Sequence, residues 1–170
     1  PSAAHQDFQF ADGAMEVKST VAKLPQSVRI TSERQLDRTG IEALFLHIVM
    51  LDEREVEPVP GGDGQSLPVL VENIRQQLAC DLEALEMFND RLLDAGYFDT
   101  HVPRYEGRRF ALRGEKTFLV SEEFPCLVER DLHVGVGNIS YDLNLSACEP
   151  FAVETATACQ TLSPKRDRER

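Results

Sequence analysis

The chain has 170 residues, 42% of them hydrophobic, and carries a net charge of −11 at pH 7. That length and apolar content suffice for a single domain with a substantial core. No apolar stretch nears the ~20 residues of a membrane span and no N-terminal signal peptide is visible, so a soluble, cytoplasmic protein without a membrane partner is expected. The acidity counts against a simple nucleic-acid binder, because phosphate contacts need Lys and Arg; it suggests that a partner protein delivers any such substrate. Cys80, Cys126, Cys148 and Cys159 are far apart, which reads as free thiols and not as a zinc site.

The first predicted element is a hairpin. In the segment His5-Gln-Asp7-Phe-Gln9-Phe-Ala-Asp12-Gly13-Ala-Met-Glu16-Val-Lys18, Asp12-Gly13 is a favoured two-residue turn. That turn pairs residue 11 with 14, 9 with 16 and 7 with 18. Side chains alternate across strands, so Asp7, Gln9, Glu16 and Lys18 share one face, expected to meet solvent, while Phe8, Phe10, Met15 and Val17 share the buried one. Opposite residues lie roughly 5 Å apart at Cβ and diagonal ones about 7–8 Å, so two carboxylates and an ammonium converge on one small volume. A hard cation such as Mg²⁺, for which Mn²⁺ can substitute, takes one or two carboxylates plus water and substrate phosphate. Asp7, Glu16 and the main-chain carbonyl of Val17 are the candidate ligands. Lys18 is the candidate to orient a water and offset charge on a phosphoryl transition state.

Downstream, Ser27 to Thr31 reads as a third strand. Ser32-Glu-Arg-Gln35 matches a capping box opening a short helix that Gly40 ends. The continuous apolar run Leu44 to Leu51 reads as a strand covered on both faces, with His47 a satisfied core histidine. Asp52 to Gln65 reads as a loop without phosphate-loop spacing. Ser66-Leu67-Pro68 opens one long helix whose apolar face runs from Val71 to Leu92, with Gly96 placed to stop it. Residues 105–112, 117–120 and 138–145 read as short strands. Arg104, Arg108, Arg109, Arg113 and Lys116 cluster near one predicted hairpin, and the first three are weak candidates for DNA backbone contact. The segment after Phe151 carries little signal, and Lys165 to Arg170 reads as a solvated tail.

Asp7…Glu16-Val17-Lys18 resembles the core motif of the PD-(D/E)xK nuclease superfamily. Glu16 to Thr20, Val28 to Leu36, Leu44 to Leu51, Ala95-Gly96-Tyr97, Phe124-Pro125 and Gly135 to Leu145, in that order, resemble one bacterial family of that superfamily, similar to components of restriction or phage-defence gene clusters. The resemblance implies a restriction-endonuclease-like α/β core, a mixed sheet flanked by helices, over residues 1–100. A C-terminal antiparallel β-rich subdomain and tail would occupy 101–170. It further implies a metal-dependent DNA endonuclease using Asp7, Glu16 and Lys18, with Gln35 either an auxiliary active-site contact or only the cap partner of its own helix. Superfamily cores usually begin with a helix carrying a further Glu, and this chain shows no helix before Asp7, so a missing upstream portion is expected. The alternative is a non-catalytic docking or interaction subunit of a defence complex that keeps the nuclease fold.

Overall fold

The run Leu44-Phe-Leu-His-Ile-Val-Met50 forms the centre of strand β4, Ala43–Glu55. Its branched and aromatic side chains suit a pleated surface, and Leu44, Phe45, Leu46, Ile48 and Met50 are all buried, as both-face cover requires. The structure is a computed structural model that describes residues 5–24, 26–55 and 64–163. β4 lies third in a five-stranded sheet of order β1-β2-β4-β5-β7. The other strands are β1 (Phe8–Phe10), β2 (Gly13–Thr20), β5 (Arg108–Leu119) and β7 (Ala152–Val153). β1 and β2 are antiparallel, β2 and β4 parallel, and β5 and β7 antiparallel, so the sheet is mixed. The parallel step sets Glu16 beside Leu46 and Lys18 beside Ile48. A parallel pair needs a crossover connection, and here it carries β3 (Ser27–Ile30), which pairs antiparallel with β6 (Tyr141–Asn144) in a separate small sheet.

Two compact units divide the chain: residues 1–50 with 113–170, and residues 51–112. In the first, Val28, Ile30, Leu143 and Leu145 of the small sheet region join Ala14, Leu44, Leu46, Ile48, Phe118 and Val120 in one core. On the other side of β2, Met15 and Phe45 pack with Ala158 and Leu162 of a helix, Thr155–Leu162. In the second, helix α1 (Leu67–Gln77) and helix α2 (Leu82–Asp94) precede a short helical turn, Val102–Tyr105. Arg75 holds Asp99 through two 3.0 Å hydrogen bonds, and Tyr97 stacks on Tyr105 at 5.0 Å. Among the described residues no helix is long and apolar enough to cross a membrane.

Several expectations are corrected. The hairpin pairs Phe8 with Met15, Gln9 with Ala14 and Phe10 with Gly13, so Ala11-Asp12 forms the turn. Gly13 is needed for close approach: a Cβ there would lie 2.2 Å from the Ala43 carbonyl oxygen and 2.8 Å from Leu162 Cδ2. The shift is by two residues, so each side chain keeps its face, but the burial is reversed. Glu16 and Ala14 are buried against the core, whereas Phe8 and Phe10 on the outermost strand are exposed. Residues after Ser32 form turns and no helix; the Ser32 hydroxyl accepts from the Arg34 amide and Gln35 turns back to Thr31, satisfying the backbone locally. The long helix is two helices, because the Asp81 carboxylate accepts the Ala84 amide and starts α2 afresh. Gly96, at φ +80°, does end it. Residues 105–112 and 117–120 are not separate strands: β5 runs through most of both. Asp52 to Glu55 continue β4; residues 56–63 of the expected loop and the tail 165–170 lie outside the described residues. β5 is bonded to β4 and β7, and β6 to β3.

Candidate metal and phosphoryl-transfer site

β2 carries Glu16 and Lys18 two residues apart, so both project from the same face, the one that meets the core. Asp7 comes in just ahead of β1, on the neighbouring chain of the hairpin, and its Oδ2 accepts the Val17 amide at 2.8 Å. That bond fixes Asp7 against the residue between Glu16 and Lys18. Gln6 secures the approach: it is buried, and its amide nitrogen donates to the Arg34 carbonyl at 3.0 Å and the Gln35 carbonyl at 3.4 Å.

Glu16 is the anomaly of the fold. Its residue is 1% exposed, and neither carboxylate oxygen has a hydrogen-bond partner among the described residues. Lys18 Nζ stands 2.6 Å from Oε1 as an ion pair. Burying a carboxylate without hydrogen bonds costs several kcal/mol unless a cation compensates. Burial raises the Glu16 pKa above the ordinary carboxylate value, with Lys18 opposing and the Asp7 charge adding to the rise. With Asp7 and Glu16 set against the single Lys18 ammonium, the cluster keeps an excess negative charge that an added cation would offset. Two carboxylates suit the few-ligand, water-keeping habit of Mg²⁺, although no group of three or more His, Cys, Asp or Glu side chains gathers among the described residues.

Asp7, Glu16, Val17 and Lys18 are thus brought together. Gln35 is not pointed at them by any bond: its Oε1 accepts from the Thr31 amide at 2.9 Å and the Thr31 hydroxyl at 3.2 Å. Of the arginines, Arg108 pairs with Glu53 at 3.2 Å and Arg109 donates to the Gly64 carbonyl at 3.4 Å, while Arg104 has no ion pair among the described residues. His47 bonds Thr117 at 2.9 Å, and Thr117 in turn lies 2.9 Å from Thr155, a satisfied half-buried histidine. Sequence reasoning missed Gln6 and Glu33. The Glu33 carboxylate is buried and accepts the Asn138 and Ile139 amides, which hold it below the ordinary carboxylate range together with its own amide, the largest cause. Neither had a periodic signal, because each is buried by turns and not by a strand or helix.

Comparison with curated proteins and with solved structures finds no match. The mixed sheet flanked by helices, with a second antiparallel sheet, is consistent with the restriction-endonuclease-like fold. The model of one protein family, described as "Putative PD-(D/E)XK family member, (DUF4420)", matches residues 1–146, and the chain belongs to that family.

Proposed function

We propose that the protein is a metal-dependent DNA endonuclease that hydrolyses phosphodiester bonds at Asp7, Glu16 and Lys18. The observation that carries this reading is the buried Glu16 carboxylate, 2.6 Å from the Lys18 ammonium and close enough to Asp7 to feel its charge. Asp7, Glu16 and the Val17 carbonyl are the groups that would hold Mg²⁺ or Mn²⁺. When bound, such a cation polarises a phosphoryl oxygen and lowers the pKa of a water. Lys18 is the positive group that remains to steady the attacking water and to offset charge growing on the phosphoryl oxygens. The Val17 amide aims Asp7, through the 2.8 Å bond to Oδ2. Gln35 is at most an auxiliary, since its carbonyl is engaged by Thr31. Arg104 is the better placed of the three arginines to meet a backbone phosphate, because Arg108 and Arg109 already have partners.

A role in restriction or phage defence, in the cytoplasm and with other subunits, is part of the proposal and rests on the family resemblance. The net charge of −11 favours a second reading, a docking subunit that keeps the fold without cleaving. Calorimetric titration with Mn²⁺ separates the two. The nuclease reading expects one saturable site, lost in Asp7→Asn and Glu16→Gln; heat no different from nonspecific salt would overturn it.

A further inference from the structure

A half-open cavity of about 400 Å³ is lined by Gln6 and Gln9, close in sequence to Asp7, and by Arg34, Asp37, Thr39 and Glu129 among others. That volume falls in the range of roughly 300–1,000 Å³ typical of small-molecule sites. None of Asp7, Glu16, Val17 and Lys18 lines it, so it is distinct from the proposed metal site, yet Gln6 precedes Asp7 and Gln9 follows it by two residues. Its walls are fixed: Gln6 is buried and bonded to the turn at Arg34 and Gln35, its Oε1 accepts from the Gln9 amide at 3.3 Å, and Asp37 accepts the Thr39 amide and hydroxyl. Among the lining residues Ile41 is the one aliphatic side chain.

The charges decide what fits. One guanidinium, Arg34, faces two carboxylates, Asp37 and Glu129, giving a net −1 with His5 neutral. Arg34 Nε lies 3.6 Å from Glu129, so even the guanidinium is partly neutralised. A second phosphate would be repelled. A neutral planar group with mixed donors and acceptors suits the side-chain amides and the hydroxyl, and a guanidinium plane can stack on it. Nucleobases have these properties, and an enzyme that works on nucleic acid can take a base out of its stack into such a pocket. Accepting Asp7 as a ligand of the metal that would bind the scissile phosphate, we infer that this cavity receives one unstacked base of the substrate strand, next to the bond that is cut.

The inference rests on the nuclease reading, and the experiment keeps the two apart. A single abasic site is walked along an oligonucleotide, and binding by fluorescence anisotropy and cleavage are followed for the wild type and Thr39→Trp. Thr39 is exposed, so the new ring can fill the cavity from its rim with little cost to folding; Glu129→Trp serves if it does not fold. One position beside the cleaved bond should weaken wild-type binding about tenfold when its base is removed, as loss of one stacked base does. The Trp variant should show that weakening on the intact strand and no further loss on the abasic one, while its Mn²⁺ titration stays as in the wild type. Cleavage of the intact strand with indifference to every abasic position would overturn the pocket alone, as would a well-folded Trp variant that binds like the wild type. Failure to bind or cut any oligonucleotide would overturn the nuclease reading and the pocket with it.

Discussion

Two charged clusters stand out in this sequence, and the fold treats them in opposite ways. In the stretch from Arg108 to Lys116, Arg108 pairs with Glu53, Arg109 with the Gly64 carbonyl, Arg113 with the Ala22 carbonyl and Lys116 with Glu149. Those charges are spent on the chain itself, and the exposed pairs add little stability. The hairpin from Asp7 to Lys18 instead buries a carboxylate and leaves it short of hydrogen bonds. A run of like charge along a strand is a weak sign of function, because the fold readily answers it. A buried charge that the fold answers only in part is stronger, because it costs stability and leaves room for a ligand.

The largest effect that could break this contrast is on stability. Lys18→Ala strips the buried Glu16 of its ion-pair partner and should cost about 3–5 kcal/mol in urea unfolding. The double variant Glu16→Gln, Lys18→Met should regain most of that loss. A single variant as stable as the wild type would show that Glu16 is not charged in the fold.

Metal should act on the same imbalance. Mn²⁺ at a hundred times its dissociation constant should stabilise the wild type by about 2.7 kcal/mol in thermal unfolding. It should leave Asp7→Asn unmoved, and an equal rise in that variant would place the ion elsewhere.

A smaller effect lies in pH. The Glu16 pKa is raised above 4.5 on folding, so folding disfavours its ionised form at high pH, and that penalty fades as pH falls through the folded value toward 4.5. Glu33 and Asp99 have lowered values and act in the other sense: their support is present above 4.5 and 3.8 and is lost as pH falls through their folded pKa values. The stability of Glu16→Gln relative to wild type should therefore rise as pH climbs from 4.5 through the folded Glu16 value and level off above it. A flat difference in paired melting curves would contradict the raised pKa.

Smallest of all, Arg108→Ala should change stability by about 0–1 kcal/mol, since its pair with Glu53 is largely exposed. A loss beyond about 2 kcal/mol in urea unfolding would erase the contrast between the clusters.

Much of this arrangement was legible in the sequence, for local reasons. The alternation that sets Glu16 and Lys18 on one face survives any even shift of register, so the two-residue error in the turn did not disturb it. The apolar run at Leu44 announces a central strand by itself. Which face of the hairpin is buried was not legible, because that depends on partners far along the chain. Ala14 packs in a core with Phe118 and Leu145, and Met15 meets a helix at Ala158 and Leu162 that the sequence hardly signals. The same reason hides Glu33, whose partners Asn138 and Ile139 lie more than a hundred positions away. The separate strands expected between 105 and 120 failed differently: the gap between them holds Gly114, a residue type that marks turns, but it sits inside β5, where a Cβ would come 3.2 Å from the Met50 methyl.

Cleavage tests the central claim most directly. Supercoiled plasmid is incubated with the wild type and with Lys18→Met, which nearly keeps the side chain's volume, in Mg²⁺, Mn²⁺ or chelator, after circular dichroism has shown both proteins folded. The account predicts metal-dependent nicking or linearisation that falls about 10²–10³-fold in the variant, as loss of one charge-stabilising group does. Folded wild type that leaves plasmid and modified phage DNA intact, or a variant that cuts as well as the wild type, would contradict it.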